Sequence, residues 1–213
     1  DVYKKIFASG NTNSVFQFES PGMKNLLKRF KPEKMEHLTL LNALYRPGPL
    51  QYIDPIIDIK NGKTTPNYVI PEMEKILGET FGHPVYQEQI IKIFNEFAGF
   101  SLGEADIIRR AMAKKHLDEL TPYKGKFIEG LCERGANLER AESFWEELLK
   151  FSEYAFNKSH SCAYSHVAYY TAYLKHYYPR EYYAAVMNTT TFDKIGSIIT
   201  ECKQNGITVR QVD

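Results

Sequence analysis

The chain has 213 residues, of which 43% are hydrophobic, enough to bury a core in one large domain or two smaller units. Its 27 Lys and Arg residues nearly balance 26 Asp and Glu residues, so no overall field draws it to nucleic acid or to a membrane surface, and any basic site must be a local cluster. There is no apolar run of membrane-spanning length and no signal-peptide order at the N-terminus, and a cytoplasmic protein is expected. Cys132, Cys162 and Cys202 are odd in number and widely spaced, which argues against a disulfide framework and against a structural zinc site.

Helical periodicity runs through almost the whole chain. The segment SPGMKNLLKRFK offers Ser20 as N-cap, Pro21 in the first turn and an apolar stripe at Met23, Leu26, Leu27 and Phe30. A second helical pattern, EKMEHLTLLNALY, stops at RPGP, which leaves Arg46 on a stiff turn. Residues 61–71 read as an irregular loop with a short extended piece, followed by a short helix at EMEKIL.

VYQEQIIKIFNEFAGF predicts an amphipathic helix with Gln87 and Gln89 on its polar side. Ser101 and Glu104 form a capping box ahead of the next helix, which ends in basic residues. Helices are predicted over 117–134, closed by Gly135, and over 138–151, with Asn137 as cap. The last third predicts helices over 161–177, 180–190 and 193–205, with Ala163, Val167, Tyr170, Leu174 and Tyr177 spaced as a buried face. The fold class expected is mainly α, an irregular multi-helix domain with little or no sheet, with possible subdomains 1–155 and 156–213.

Two clusters carry candidate chemistry. RRAMAKK places Arg109, Arg110, Lys114 and Lys115 within seven residues, suited to gripping a phosphate at about 1.5–3 kcal/mol per charge-assisted contact; equally, such a cluster is a solvated helix end that complements the macrodipole. FNKSHSCAY places Asn157, Lys158, Ser159 and His160 just before a predicted helix, where hydroxyls, a cation and free backbone amides converge on an anion. The plain alternative there is ordinary capping by Ser159 or Ser161, with Lys158 in solvent and His160 facing the core. NGKTT lacks the first glycine of a phosphate loop, Ile57 standing in its place, and the histidines show no metal-ligand spacing.

Five blocks in order, SVFQFES.GM, LNALYRPGPL, VYQEQI, GFSLGEADIIRRAMAKK and FNKSHSCAYSHVAYYTAYLKHYYPREYYAAVM, resemble the bacterial replicative DNA polymerase III alpha subunit over essentially the whole chain. The matching region is the fingers domain, and one departure stands out: Ala113 replaces the glycine of the family's R-R-A-M-G-K-K. The resemblance implies DNA-directed DNA polymerase (nucleotidyltransferase) activity of a parent enzyme, with Arg46, Arg109, Arg110, Lys114, Lys115, Asn157, Lys158, Ser159 and His160 facing an incoming deoxynucleoside triphosphate. It implies that Gln87, Gln89 and Tyr164 touch DNA or the nascent base pair. The catalytic carboxylates and the Mg2+ they hold are expected in a palm domain outside this sequence, so no catalytic residue and no cofactor is assigned here. Asp54, Asp58, Glu88, Glu104 and Asp106 read as caps and ion-pair partners. Expected partners are primed DNA, the other domains of the alpha subunit and replisome subunits, with no membrane. The alternative function is a helical docking region for replisome proteins.

Overall fold

The computed structural model describes residues 1–210, all but Leu117 with their side chains. Eleven α-helices and no strand occur among them. The chain forms two compact units, residues 34–165 and residues 1–33 together with the chain from 166 on. The units therefore do not part at 155/156: the first 33 residues belong with the C-terminal helices, a long-range pairing that no local pattern reveals.

The 34–165 unit contains α2 (Met35–Leu44), α3 (Ile53–Lys60), α4 (Glu74–Leu77), α5 (Gln87–Ala98), α6 (Leu102–Ala113), α7 (Leu117–Cys132), α8 (Leu138–Ser152) and the first turns of α9 (Lys158–Tyr177). Its core gathers around Phe94 of α5, whose ring lies 4.8 Å from Phe127 of α7 and perpendicular to Trp145 of α8 at 5.9 Å. Burying each such aromatic contributes about 1.5–3 kcal/mol. Backbones approach closely where α7 crosses α5: a Cβ on Gly130 would stand 2.6 Å from the Phe97 carbonyl oxygen. Ser101 Oγ accepts from the Glu104 amide while the Glu104 carboxylate accepts from the Ser101 amide, and Asn137 accepts from Arg140 N at 2.7 Å. These caps are where the sequence places them.

The other unit holds α1 (Pro21–Phe30), the remainder of α9, α10 (Pro179–Thr189) and α11 (Phe192–Gln204). Ser20 Oγ accepts from Met23 N, and Met23, Leu26, Leu27 and Phe30 are all buried. Lys175 and Glu201 form a buried ion pair at 2.7 Å, and the same ammonium donates to the carbonyls of Asn11 and Asn13. The N-terminal segment is thereby tied to α9 and α11.

The expected buried face of α9 is reversed. Val167, Tyr170, Leu174 and Tyr177 are 44–61% exposed and Ala163 is exposed, while Ser161, Ser165, Ala168, Ala172 and Lys175 are buried. Both stripes have helical spacing. The buried one is made of small side chains and one lysine: Ser161 Oγ donates to Thr39 O at 2.6 Å and the Lys175 ammonium pairs with Glu201, whereas the buried Ser165 Oγ has no hydrogen-bond partner among the described residues.

Candidate functional site

The short segment between α8 and α9 is held from three sides. Arg46 leaves the turn after α2, donating from Nε to Ala43 O at 2.9 Å and from Nη2 to Tyr154 O at 2.8 Å, with Cζ 4.2 Å above the Phe156 ring. Burial holds this guanidinium below its ordinary pKa. Nearby, Gly48 adopts φ +98°, and the Tyr154 ring fills the space that a Cβ would need. From α6, Lys115 pairs with Glu153 at 2.9 Å, and that hydrogen bond raises the lysine pKa. From α5, Gln87 Nε2 donates to Ala155 O, and backbone bonds from Phe156 N to Val85 O and from Gln87 N to Phe156 O make an isolated parallel bridge.

Helix α9 begins at Lys158, three residues earlier than its sequence pattern suggests, because Asn157 caps it: Oδ1 accepts from His160 N at 2.8 Å. Lys158, Ser159 and His160 are therefore the first helical turn, with no loop between them and the helix. The amide of Lys158 is not open to an outside anion, since both carboxylate oxygens of Glu88 accept from it at 3.1 Å. Asn157 Nδ2 donates to Glu88 as well. The Lys158 ammonium is bound by both oxygens of Glu79, at 2.8 and 2.6 Å. His160 meets Phe156 edge-on at 5.4 Å and stacks on Tyr164 at 4.2 Å, forming an aromatic ladder along the helix start. His160 is exposed and does not face the core.

On α6, Asp106 takes both arginines. Arg109 donates to Oδ1 from Nε at 3.0 Å and from Nη2 at 2.8 Å, and Arg110 pairs with Oδ2. The Arg109 bonds lead the causes that hold the Asp106 carboxyl below its usual range. Arg109 is 15% exposed and Arg110 is 66% exposed, so the first is built into the helix and the second reaches solvent. Lys114 caps α6, and neither it nor Ser159 has a side-chain partner among the described residues. Ala113 lies within α6, and the positive φ falls on Lys115 at 59°. Alanine at 113 thus costs no backbone strain.

Gln89 is not on a polar face. It is buried, accepting from Val85 N and Tyr86 N at 2.9 Å and donating to Ile76 O at 3.0 Å and Thr80 Oγ1 at 2.9 Å. Every polar group of this amide is used inside the fold, leaving nothing to read a base.

The structure thus brings Arg46, Gln87, Lys115, Asn157 and Lys158 around one segment, 153–158, with Arg109, Arg110 and Lys114 following from Lys115 along α6. Arg46 and Gln87 each donate to a carbonyl of that segment, and Asn157 donates from it to Glu88. Arg110, Lys114, Lys115, Lys158, Ser159 and His160 present theirs at the surface. Sequence reasoning passed over Glu79 and Phe156; Glu79 carries no motif, whereas the acceptor role of Glu88 follows from reading it as a cap. No group of three or more His, Cys, Asp or Glu side chains able to hold a metal occurs among the described residues.

Residues 1–135 match the family model for the bacterial DNA polymerase III alpha subunit finger domain. The chain belongs to that family. Among its relatives are proteins named DNA polymerase III subunit alpha from Aquifex aeolicus, 44% identical over 215 residues, from Treponema pallidum, 45% over 210, and from Borreliella burgdorferi, 46% over 211. These alignments cover 100%, 98% and 98% of the chain. The finger domain chain spans 18% of the length of each of these curated relatives. The family model takes in Arg46 and the α6 cations of the finger domain; the α9 cluster lies beyond it but within the alignments to the relatives.

Proposed function

We propose that this finger domain lines the incoming-nucleotide site of a replicative DNA polymerase, with Arg110, Lys114, Lys115, Lys158, Ser159 and His160 directed at the triphosphate. The observation that carries the reading is the shared anchoring of segment 153–158, which ties the basic end of α6 to the first turn of α9 through the Lys115–Glu153 pair. The cations are paired with carboxylates, yet the pairs of Arg110, Lys115 and Lys158 are surface pairs, each worth about 0–1 kcal/mol. A polyanion offering several charge-assisted contacts at about 1.5–3 kcal/mol each outcompetes them.

Glu88 already occupies the free amide at the start of α9, so the contacts come from side chains and not from the helix end. These side chains orient the triphosphate and offset charge that grows on the phosphates during in-line displacement. The ring of His160 is held by the stacked ring of Tyr164 and by an edge contact with Phe156. Arg46, Gln87, Asn157 and Arg109 act as supports in this scheme. The resemblance implies magnesium; the described carboxylates do not converge into a site for it. Primed DNA, the remaining domains of the alpha subunit and a bacterial cytoplasmic setting belong to the same proposal. Among the described residues, no helix is long and apolar enough to cross a membrane.

The test is Lys158→Ala with His160→Ala in a full-length alpha subunit carrying this sequence. The expected outcome is a rise in nucleotide KM or a fall in turnover of at least about tenfold, equivalent to about 1.4 kcal/mol. Unchanged kinetics reject the site.

A second reading, docking of replisome subunits, is favoured by one observation, the exposed stripe at Val167, Tyr170, Leu174 and Tyr177. It predicts that Tyr170→Ser with Leu174→Ser weakens co-purification of those subunits while nucleotide KM stays constant. Intact co-purification counts against it.

A further inference from the structure

Two carboxylates meet the start of α9, and they are held in different ways. Glu88 binds backbone: it accepts from the Lys158 amide with both oxygens and from Asn157 Nδ2, so it cannot leave without loosening the cap of the helix. Glu79 binds only the mobile end of a side chain, the Lys158 ammonium, at 2.8 and 2.6 Å. That pair is open to solvent, the two side chains being 41% and 32% exposed.

The backbone that carries Glu79 is anchored by its buried neighbour Thr80. Glu79 lies in a short 3-10 turn, Gly78–Thr80, directly after α4, and its neighbour Thr80 is buried, donating to His83 O at 2.6 Å and accepting from Gln89 Nε2. An anchored backbone with an exposed side chain gives a carboxylate that stays close to Lys158 but is free to swing away.

On the reading that Lys158 faces the triphosphate, we infer that Glu79 is a displaceable counter-ion, a positioning residue that holds the Lys158 ammonium in the nucleotide-free enzyme and yields it to phosphate. The two oxygens of Glu79 occupy the donors that the phosphate needs, and the carboxylate repels the arriving anion. Binding therefore includes the free energy of releasing Glu79, which lowers apparent affinity in the way that any competing bound state does. An anion of low charge gains too little to release it, whereas a triphosphate engaging several cations gains enough. Glu79 thus raises the charge threshold of the site: every anion that takes Lys158 is weakened by the same factor, and only one that engages several cations still binds.

The experiment uses a full-length alpha subunit carrying this sequence, with primed DNA and dTTP opposite template adenine. Glu79→Gln keeps the shape of the side chain and removes its charge. The expected result is a 3- to 10-fold fall in the KM for dTTP, with inhibition by inorganic pyrophosphate strengthened by a similar factor. A residue that merely props the fold raises KM or lowers kcat when altered, so an unchanged or higher KM in Glu79→Gln overturns the inference. Glu79→Ala, carried in parallel, is expected to lower KM in the same direction. In a Lys158→Ala background, Glu79→Gln is expected to change KM by less than twofold, and a fall persisting there also overturns it. Failure of the underlying reading looks different, since it appears as no change in KM for Lys158→Ala alone.

Discussion

Replacing Gln89 by leucine separates a supporting role from a DNA-reading one. The buried amide accepts hydrogen bonds from Val85 N and Tyr86 N, both buried, and leucine strands these two donors. An unsatisfied buried N–H costs about 1–3 kcal/mol, so the pair amounts to about 2–6 kcal/mol, even before the lost bonds to Ile76 O and Thr80 Oγ1 are counted. Against a total stability of about 5–15 kcal/mol this is a large share. With a urea dependence of about 2 kcal/mol per molar, the unfolding midpoint of the chain is expected to fall by about 1–3 M, measured by far-UV circular dichroism. Gln89→Glu keeps both acceptor bonds but buries a carboxyl, whose folded pKa is then raised. Its penalty is expected to be small below the unfolded carboxyl range near about 4.3 and to grow as pH rises through the raised folded value. A midpoint shift below about 0.3 M for Gln89→Leu, or weakened DNA binding at unchanged stability, refutes the reasoning.

Two further substitutions test other buried charges. Lys175→Met leaves Glu201 buried without its partner and two carbonyls without their donor, and a loss of about 3–5 kcal/mol is expected in the same urea titration; a shift under about 1 kcal/mol contradicts the role given to the pair. Glu147 lies in α8, where burial raises its pKa against the opposing pull of Arg140 and Lys150. A raised folded pKa means that this group's contribution is fully present below the ordinary carboxyl value and is lost as pH rises through the folded value. Glu147→Gln is therefore expected to stabilise the chain at pH 7 and to have little effect near pH 4, and equal effects at both pH values speak against it.

The parts of the fold legible in the sequence are those decided by short-range hydrogen bonds. Ser20, Ser101 with Glu104, and Asn137 each satisfy an amide within three residues, so type and spacing suffice to place them. Asn157 does the same but stands beside two serines and a histidine, and nothing local ranks Asn157 above Ser159 as the cap. What the sequence does not show is non-local. The Gln89 amide looks solvent-facing by periodicity because its partners come from the turns before the helix and from Ile76. Helix α9 carries two stripes of equal period, and only the surroundings decide that the small-residue stripe is buried. The cations of the candidate site were identifiable by type, and Asp106 as an ion-pair partner at helical spacing; Glu79 was not, since it lies 79 residues before Lys158.

The contrast between two lysine–glutamate pairs shows why charge balance in the composition does not argue against a polyanion site. Lys175 and Glu201 are 2% and 7% exposed, and the ammonium has further bonds to backbone carbonyls. No ligand reaches that charge, and exchanging it means unfolding part of its unit. Lys158 and Glu79 have an equally short contact, but they are 41% and 32% exposed, so water and solutes compete for both ends. By geometry alone the pairs are nearly alike at 2.7 and 2.6 Å. Burial distinguishes them, because the strength of an ion pair against an incoming anion is set by the dielectric around it and by the other bonds that hold each partner. A near-neutral protein can therefore store cations for a phosphate ligand in exposed pairs, whose carboxylates keep the resting surface balanced and move aside when a stronger anion arrives.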